Sequence, residues 1–285
     1  MNKKNTQKAF SLIELSIVIL IIGILVAGVT QSSRLVNEIR LSSARSITQS
    51  SPVNSITGII SWIETTSQKS FNIEPEDGSS ISLINDLNII STPKIGFMQP
   101  TVTKQPIYKS SNFNGLPSLA FDGIDDEMVT TQQLQVNEIA PTVKNTIFMV
   151  IKVYTSQVFF SYERYDGLPR ISLQMNGNNV RFDYPNASNI ATGTTNIIGK
   201  TVIITADSNK VNQSLYINGS LDATRANSAD INFNHIYNIA IGANNGNMFT
   251  KCDIAEVIIY DRSLKTEERK SIEQYLGKKW GIKIS

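Results

Sequence analysis

Carboxylates carry most of the chemical potential of this 285-residue chain, because other reactive groups are scarce. Cys252 is the sole cysteine and His235 the sole histidine, which excludes an intrachain disulfide and Cys/His zinc clusters. Nothing in their spacing brings the two together as a nucleophile pair. Cys252 reads as a packed residue at the start of a strand, and His235 as a loop or strand-edge residue. Asp122, Asp125 and Asp126 crowd one turn with Glu127 in FDGIDDEM. Hard cations such as calcium take several oxygen ligands, so these three aspartates are the one candidate metal site. The same string also reads as a solvated turn in which Asp122 fixes the Asp-Gly bend. Glycoside hydrolysis needs two carboxylates about 5–5.5 Å apart for retention and further for inversion. Glu74-Pro75-Glu76-Asp77 contains a proline and leads into a turn, and Asp253-Ile254-Ala255-Glu256 offers only two acids. Glu256 reads as a structural hydrogen-bonding partner on a strand. No catalytic residue is assigned, no enzymatic activity is expected and no cofactor is required, with calcium as the alternative.

One acid stands apart. Glu14 abuts an apolar run that is free of charge from Leu15 to Ser33, which is 33 − 15 + 1 = 19 residues. As a helix at 1.5 Å per residue the run rises roughly 28 Å, near the hydrocarbon thickness of a bilayer. Lys3, Lys4 and Lys8 precede it, so the positive-inside rule keeps the N-terminus cytoplasmic and the rest of the chain outward. A secretory signal with Ala27–Gly28 at its cleavage site and a plain anchor are the alternatives. Neither accounts for an acidic residue here, whose insertion costs on the order of 2.5–3.5 kcal/mol at mid-span and less near an end. Beyond the run, Leu35, Ile39 and Ile47 share one helical face, with Arg34, Arg40 and Arg45 around the others. Pro52 ends the pattern. One helix is expected from about Phe10 to about Ser50, with Ser50-Ser51-Pro52 as a short hinge.

The string Lys8-Ala9-Phe10-Ser11-Leu12-Ile13-Glu14 resembles the processing site of type IV prepilins and type II secretion pseudopilins. The resemblance implies that a prepilin peptidase cuts between Ala9 and Phe10, and that the new N-terminus is methylated. Glu14 becomes the fifth mature residue and neutralises the terminal amine of a neighbouring Phe10 in an assembled filament. The family usually has glycine at the position of Ala9. An unpaired buried charge costs several kcal/mol, so this pairing favours one axial register between subunits. The apolar helices leave lipid and bury one another as the filament forms.

Residues 55–285 number 285 − 55 + 1 = 231, a length that suits a single all-β sandwich. Short β-rich runs include Ile56–Ile63, Ser118–Phe121, Thr146–Val153, Val158–Tyr162, Ile171–Met175, Val180–Tyr184, Thr201–Ala206, Ser214–Ile217, Ile239–Ile241 and Ile254–Tyr260. Asn-Gly pairs at 114–115, 176–177, 218–219 and 245–246, and Asp-Gly pairs at 77–78, 122–123 and 166–167, favour the positive φ angles of tight hairpins. A late helix is expected with Thr266 as its cap and Glu267 and Glu268 at its positive end. Its stripe Ile272, Leu276 and Trp280 is expected to dock on the sandwich.

These pieces in order resemble the concanavalin A-like, laminin-G-like jelly rolls of bacterial surface proteins. The matching strings are Ser61-Trp62, Gln105 to Tyr108, Asn114 to Gly123, Thr146 to Val150, Leu215 to Gly219, Asp253 to Arg262 and Tyr275 to Gly281. The closing strand and helix are the most specific. Glucanases of that fold place their acids on one strand as Glu-x-Asp-x-x-Glu, a string this chain lacks. Lectins of the fold use an aromatic platform with Asn or Asp, for which Tyr108, Tyr165, Tyr184 and Asn244–Asn245 are available. Ordinary pilin heads are smaller and often carry a disulfide-closed loop, which a single cysteine cannot make.

The resulting expectation is a mainly β protein: a leader over 1–9, a transmembrane and stalk helix over 10–51, and a concanavalin A-like antiparallel jelly roll with a C-terminal helix over 55–285. It would sit in the inner membrane as a single pass and then in a pilus, a pseudopilus or at the cell surface. Its partners would be prepilin peptidase, other pilin or pseudopilin subunits, the bilayer before assembly, and a glycan or surface-protein ligand. Nucleic acid is not among them: 26 Lys+Arg against 24 Asp+Glu give +2, and without the three leader lysines 23 against 24 give −1. A secretion pseudopilin touching cargo and a membrane-tethered glycan-active enzyme are the alternatives.

Overall fold

The computed structural model describes residues 12–90, 92–136, 139–140, 144–163, 171–183, 190–209, 211–226, 231–232, 235–244 and 246–285. Ala9, Phe10, Tyr165, Tyr184, Asn245 and the Asp-Gly pair at 166–167 lie outside these residues. Helix α1 runs Leu12–Gln49. Side chains of its apolar run are described from 12 to 27, or 27 − 12 + 1 = 16 residues. Among the described residues, no helix is long and apolar enough to cross a membrane. Pro52 ends the rod as expected, because it cannot continue the i to i−4 ladder. The segment beyond it is no free hinge. Val53 is fully buried, and the Tyr260 hydroxyl donates to its carbonyl at 2.9 Å.

The body comprises β1 (Ile59–Glu64), β2 (Leu83–Ile84), β3 (Phe97–Met98), β4 (Ile107–Phe113), β5 (Leu116–Asp122), β6 (Met128–Thr130), β7 (Leu134–Val136), β8 (Ile139–Ala140), β9 (Asn145–Val153) and β10 (Val158–Glu163). It continues with β11 (Ile171–Asn176), β12 (Asn179–Asp183), β13 (Ile190–Thr192), β14 (Thr201–Ser208), β15 (Asn212–Ile217), β16 (Ser220–Ala226), β17 (Ile231–Asn232), β18 (His235–Ile241) and β19 (Lys251–Tyr260). Helix α2 (Thr266–Trp280) closes the chain. The first sheet has the order β16-β15-β14-β9-β19-β5-β4, and the second β13-β12-β11-β10-β18-β6-β3-β2. Every pairing between named strands is antiparallel, giving the jelly-roll-like sandwich that the sequence pattern led us to expect. Turn chemistry sets the hairpins. Asn114 and Gly115 have φ of 53° and 79°, and Asn218 and Gly219 have φ of 51° and 85°. Each pair forms a two-residue loop whose twist matches that of its flanking strands.

Two apolar layers follow from strand alternation. Ile147, Met149, Ile151 and Val153 of β9 point between the sheets, where they meet Phe97, Phe121, Phe160 and Leu173. Phe148 and Val150 point the other way, into a second core with Ala44, Trp62, Ile258, Ile272, Leu276 and Trp280. The first sheet is therefore covered on both faces, and β9 and β19 read as nearly unbroken apolar runs. The α2 stripe docks as expected, with Ile272 and Leu276 fully buried. Its start differs from the expectation. Lys265, not Thr266, occupies the cap position. There Glu268 reaches back to accept the Lys265 N–H at 2.8 Å while Arg262 grips the same carboxylate at 2.7 and 2.9 Å. This ion pair holds the Glu268 carboxyl down at about 2. At the far end Gly281 caps the helix at φ 67°, a left-handed conformation that other residues rarely adopt.

Candidate functional site

The junction between helix and sandwich is built around Glu256. A β-bulge in the β19–β9 ladder between Ile254 and Glu256 shifts the strand by one residue. Ile254 and Val257 thus both face the inner core, while Glu256 joins Ala255 and Ile258 beneath the helices. The Glu256 carboxylate accepts four hydrogen bonds there. Trp62 Nε1 and the Tyr275 hydroxyl donate at 2.7 Å, Trp280 Nε1 at 2.8 Å and Lys279 Nζ at 2.9 Å. Directly opposite Glu256 on β1 lies Glu64. Its Oε2 accepts from Lys279 Nζ at 2.8 Å and from the Thr66 amide and hydroxyl at 2.6 Å. The side chains of Lys279, Glu64 and Glu256 have no exposed surface. The ammonium thus bridges two buried carboxylates that would otherwise repel each other. It also sits 5.0 Å from the Trp280 ring centroid, and burial pushes the Tyr275 hydroxyl far above its usual range.

Helix α1 meets this network through small residues. Ala44 and Thr48 are buried, and the Thr48 hydroxyl donates to the Ala44 carbonyl at 3.0 Å. The expected face of Leu35, Ile39 and Ile47 is only partly used. Ile47 packs against the second core, but Leu35 and Ile39 are 58% and 59% exposed. Ala and Thr at the contact let the two helix backbones approach, which longer side chains would prevent. Arg45 adds a tie to the body, donating from Nε to the Thr66 carbonyl at 2.8 Å and pairing with Glu74. The preceding part of α1 has the opposite character. From Leu12 to Val26 its large apolar side chains are 48–86% exposed, and the exposed Glu14 lies in its first turn.

The aspartates near the end of β5 lie close together. One oxygen from each of Asp122, Asp125 and Asp126 lies within 4.8 Å of the others. Asp122 Oδ1 accepts the amides of Ile124, Asp125 and Asp126 at 2.7, 3.3 and 3.4 Å, so it fixes the turn at Gly123. Asp126 Oδ2 accepts the Asp122 amide at 2.9 Å. Burial, reinforced by the charges of Asp122 and Asp125, raises the Asp126 carboxyl to about 6. Three carboxylates at this spacing match the donor chemistry of a hard cation. Tyr108 is not an open platform: it is buried edge-on against Phe71 with centroids 5.6 Å apart. Asn244 is likewise buried, in a tight turn with Asn247. Cys252 is fully buried on β19, and His235 opens β18. Glu64, Thr66 and Lys279 were not singled out by the sequence, although Lys279 and the neighbour of Glu64 on β1, Trp62, lie inside strings that were.

Residues 4–30 match the prokaryotic N-terminal methylation motif, and residues 141–268 match the concanavalin A-like lectin/glucanases superfamily. The chain joins a prokaryotic N-terminal methylation motif to a concanavalin A-like domain. The strands before residue 141 complete both sheets of that concanavalin A-like domain. Among curated proteins none matches the chain. The receptor binding domain of botulinum neurotoxin D superposes with a TM-score of 0.55 at 11% identity, over 79% of this chain and 54% of that one. The binding domain of Paraclostridial Mosquitocidal Protein 1 gives 0.51 at 14% identity, over 79% and 53%. Trypanosoma rangeli sialidase gives 0.50 at 11% identity, over 78% and 33%. At such identities the likeness concerns the fold alone. The chain spans about a third of the sialidase and about half of each toxin domain.

Proposed function

We propose that this protein is a specialised, minor pilin-like subunit that displays its concanavalin A-like domain for adhesion or recognition of a glycan or surface protein. The observation that carries the reading is the division of α1. Its first part exposes apolar side chains on every side, while its last turns share a core with the sandwich. Such a helix suits insertion in a bilayer and later burial among sister helices, with the N-terminus cytoplasmic and the domain outside. Prepilin peptidase would cut between Ala9 and Phe10, and Glu14 would pair with the new amine of a neighbouring subunit. A non-enzymatic role is supported by the two strand acids Glu64 and Glu256, which are sealed from solvent and held by Lys279.

Coexpression with a prepilin peptidase tests the reading. The expected product begins at a methylated Phe10 and enters filaments together with other pilins. A product that still begins at Met1 and remains single in detergent would overturn it. Entry only into a short secretion pseudopilus would move the protein to the secretion alternative.

A further inference from the structure

We propose that the cleft bounded by residues 71–76 and 79–83 is a binding site for a neutral saccharide, an inference that rests on the recognition role above. The cleft has a volume of about 470 Å3, within the usual range for small-molecule sites. Phe71 and Ile81 border it from the core side, buried at 8% and 5% exposed, and Ile73 stands 85% exposed among its lining residues. The exposed Ile73 side chain suits the C–H face of a sugar ring. Part of the polar lining faces solvent. Glu76, Ser80 and Ser82 are exposed, and among the described residues their side chains have no hydrogen-bond partner. Asn72 uses only its Oδ1, which accepts from Asn85 Nδ2 at 3.1 Å, so its amide hydrogens remain to donate. A carboxylate, an amide and hydroxyls beside an apolar wall match the alternating donors, acceptors and C–H groups of a polyol ring.

Charge narrows the class. Glu74 and Glu76 line the cleft, and among the described residues no Lys or Arg does. Among the described residues the one cation paired with these acids is Arg45 of α1, which is bound to Glu74. Sialylated, uronic or sulfated sugars would therefore meet uncompensated negative charge, whereas hydroxyl groups can donate to Glu76. Because Arg45 belongs to the helix, the same pair ties the cleft wall to the stalk.

The test is a glycan array followed by titration calorimetry, using the full chain in detergent and its Glu76→Ala and Asn72→Ala variants. Both positions are exposed, and unchanged thermal unfolding verifies that the variants fold. The expected result is binding to neutral saccharides, weakened at least tenfold by either substitution, with no binding to the acidic set. Saccharide binding that both variants retain, or a preference for anionic glycans, overturns this site while leaving the recognition role standing. A chain that binds no glycan also overturns the site; if it captures no surface protein either, the recognition role falls with it.

Discussion

The two ends of helix α1 obey opposite rules of burial. Ile19, Leu20 and Ile24 are among the most apolar residues of the chain and are 61–64% exposed. Ala44 and Thr48, one small and one polar, are 2% and 7% exposed. Farther in, Lys279, Glu64 and Glu256 are sealed where aliphatic residues would ordinarily lie. Hydropathy alone would invert this order. The comparison teaches that burial here follows the partner available. The first end leaves its apolar side chains exposed, whereas the second finds α2 and a sheet where donors reach both oxygens of Glu256 and Oε2 of Glu64.

The strongest way to break the comparison is at the charge bridge. Lys279→Met should destabilise the domain by roughly 3–5 kcal/mol, because it leaves two facing carboxylates buried and uncompensated. Chemical denaturation measures it, and a loss below about 1 kcal/mol would mean that water reaches the site. Next in size is Ala44→Leu, expected to cost about 1–3 kcal/mol by overpacking the α1–α2 contact. A neutral result in the same assay would show that the helix docks loosely.

The acidic turn offers a smaller, pH-dependent effect. The Asp126 carboxyl, raised to about 6, binds its proton more tightly in the folded state than in the unfolded chain. Its contribution to stability is therefore present below about pH 4, declines as pH rises to about 6, and is absent above. Asp126→Asn should remove that slope, and added calcium should remove it in the native chain if the three aspartates bind the cation. Thermal unfolding between pH 4 and 7 reads both. The smallest effect is expected at the free end. Leu20→Ser should leave unfolding of the domain unchanged within about 0.5 kcal/mol, as for other surface positions. The same change should lower incorporation into membranes.

Much of this architecture was legible from local pattern. The hairpins at Asn114-Gly115 and Asn218-Gly219 were readable because two-residue loops demand positive φ, and few residues besides Asn and Gly accept it. The stripe Ile272, Leu276 and Trp280 was readable because its period is that of a helix turned to one side. Short strands such as β2, β3 and β6 were not, since two or three residues carry no period and exist only through their neighbours. The aspartate turn was visible as a string, but the burial that lifts Asp126 was not. Glu64 lacked any signal, because its partner Lys279 lies 215 positions away.

By itself, then, the order of residues determined the apolar rod, the methylation motif, the antiparallel sandwich and the closing helix. Each depends on spacing within a few residues or on a single contiguous run. Only the tertiary structure decided which face of the rod docks, which acids are neutralised and where uncommitted polar groups gather in a cleft. Those outcomes depend on side chains brought together from distant parts of the chain, where burial and electrostatic pairing are set by three-dimensional neighbours.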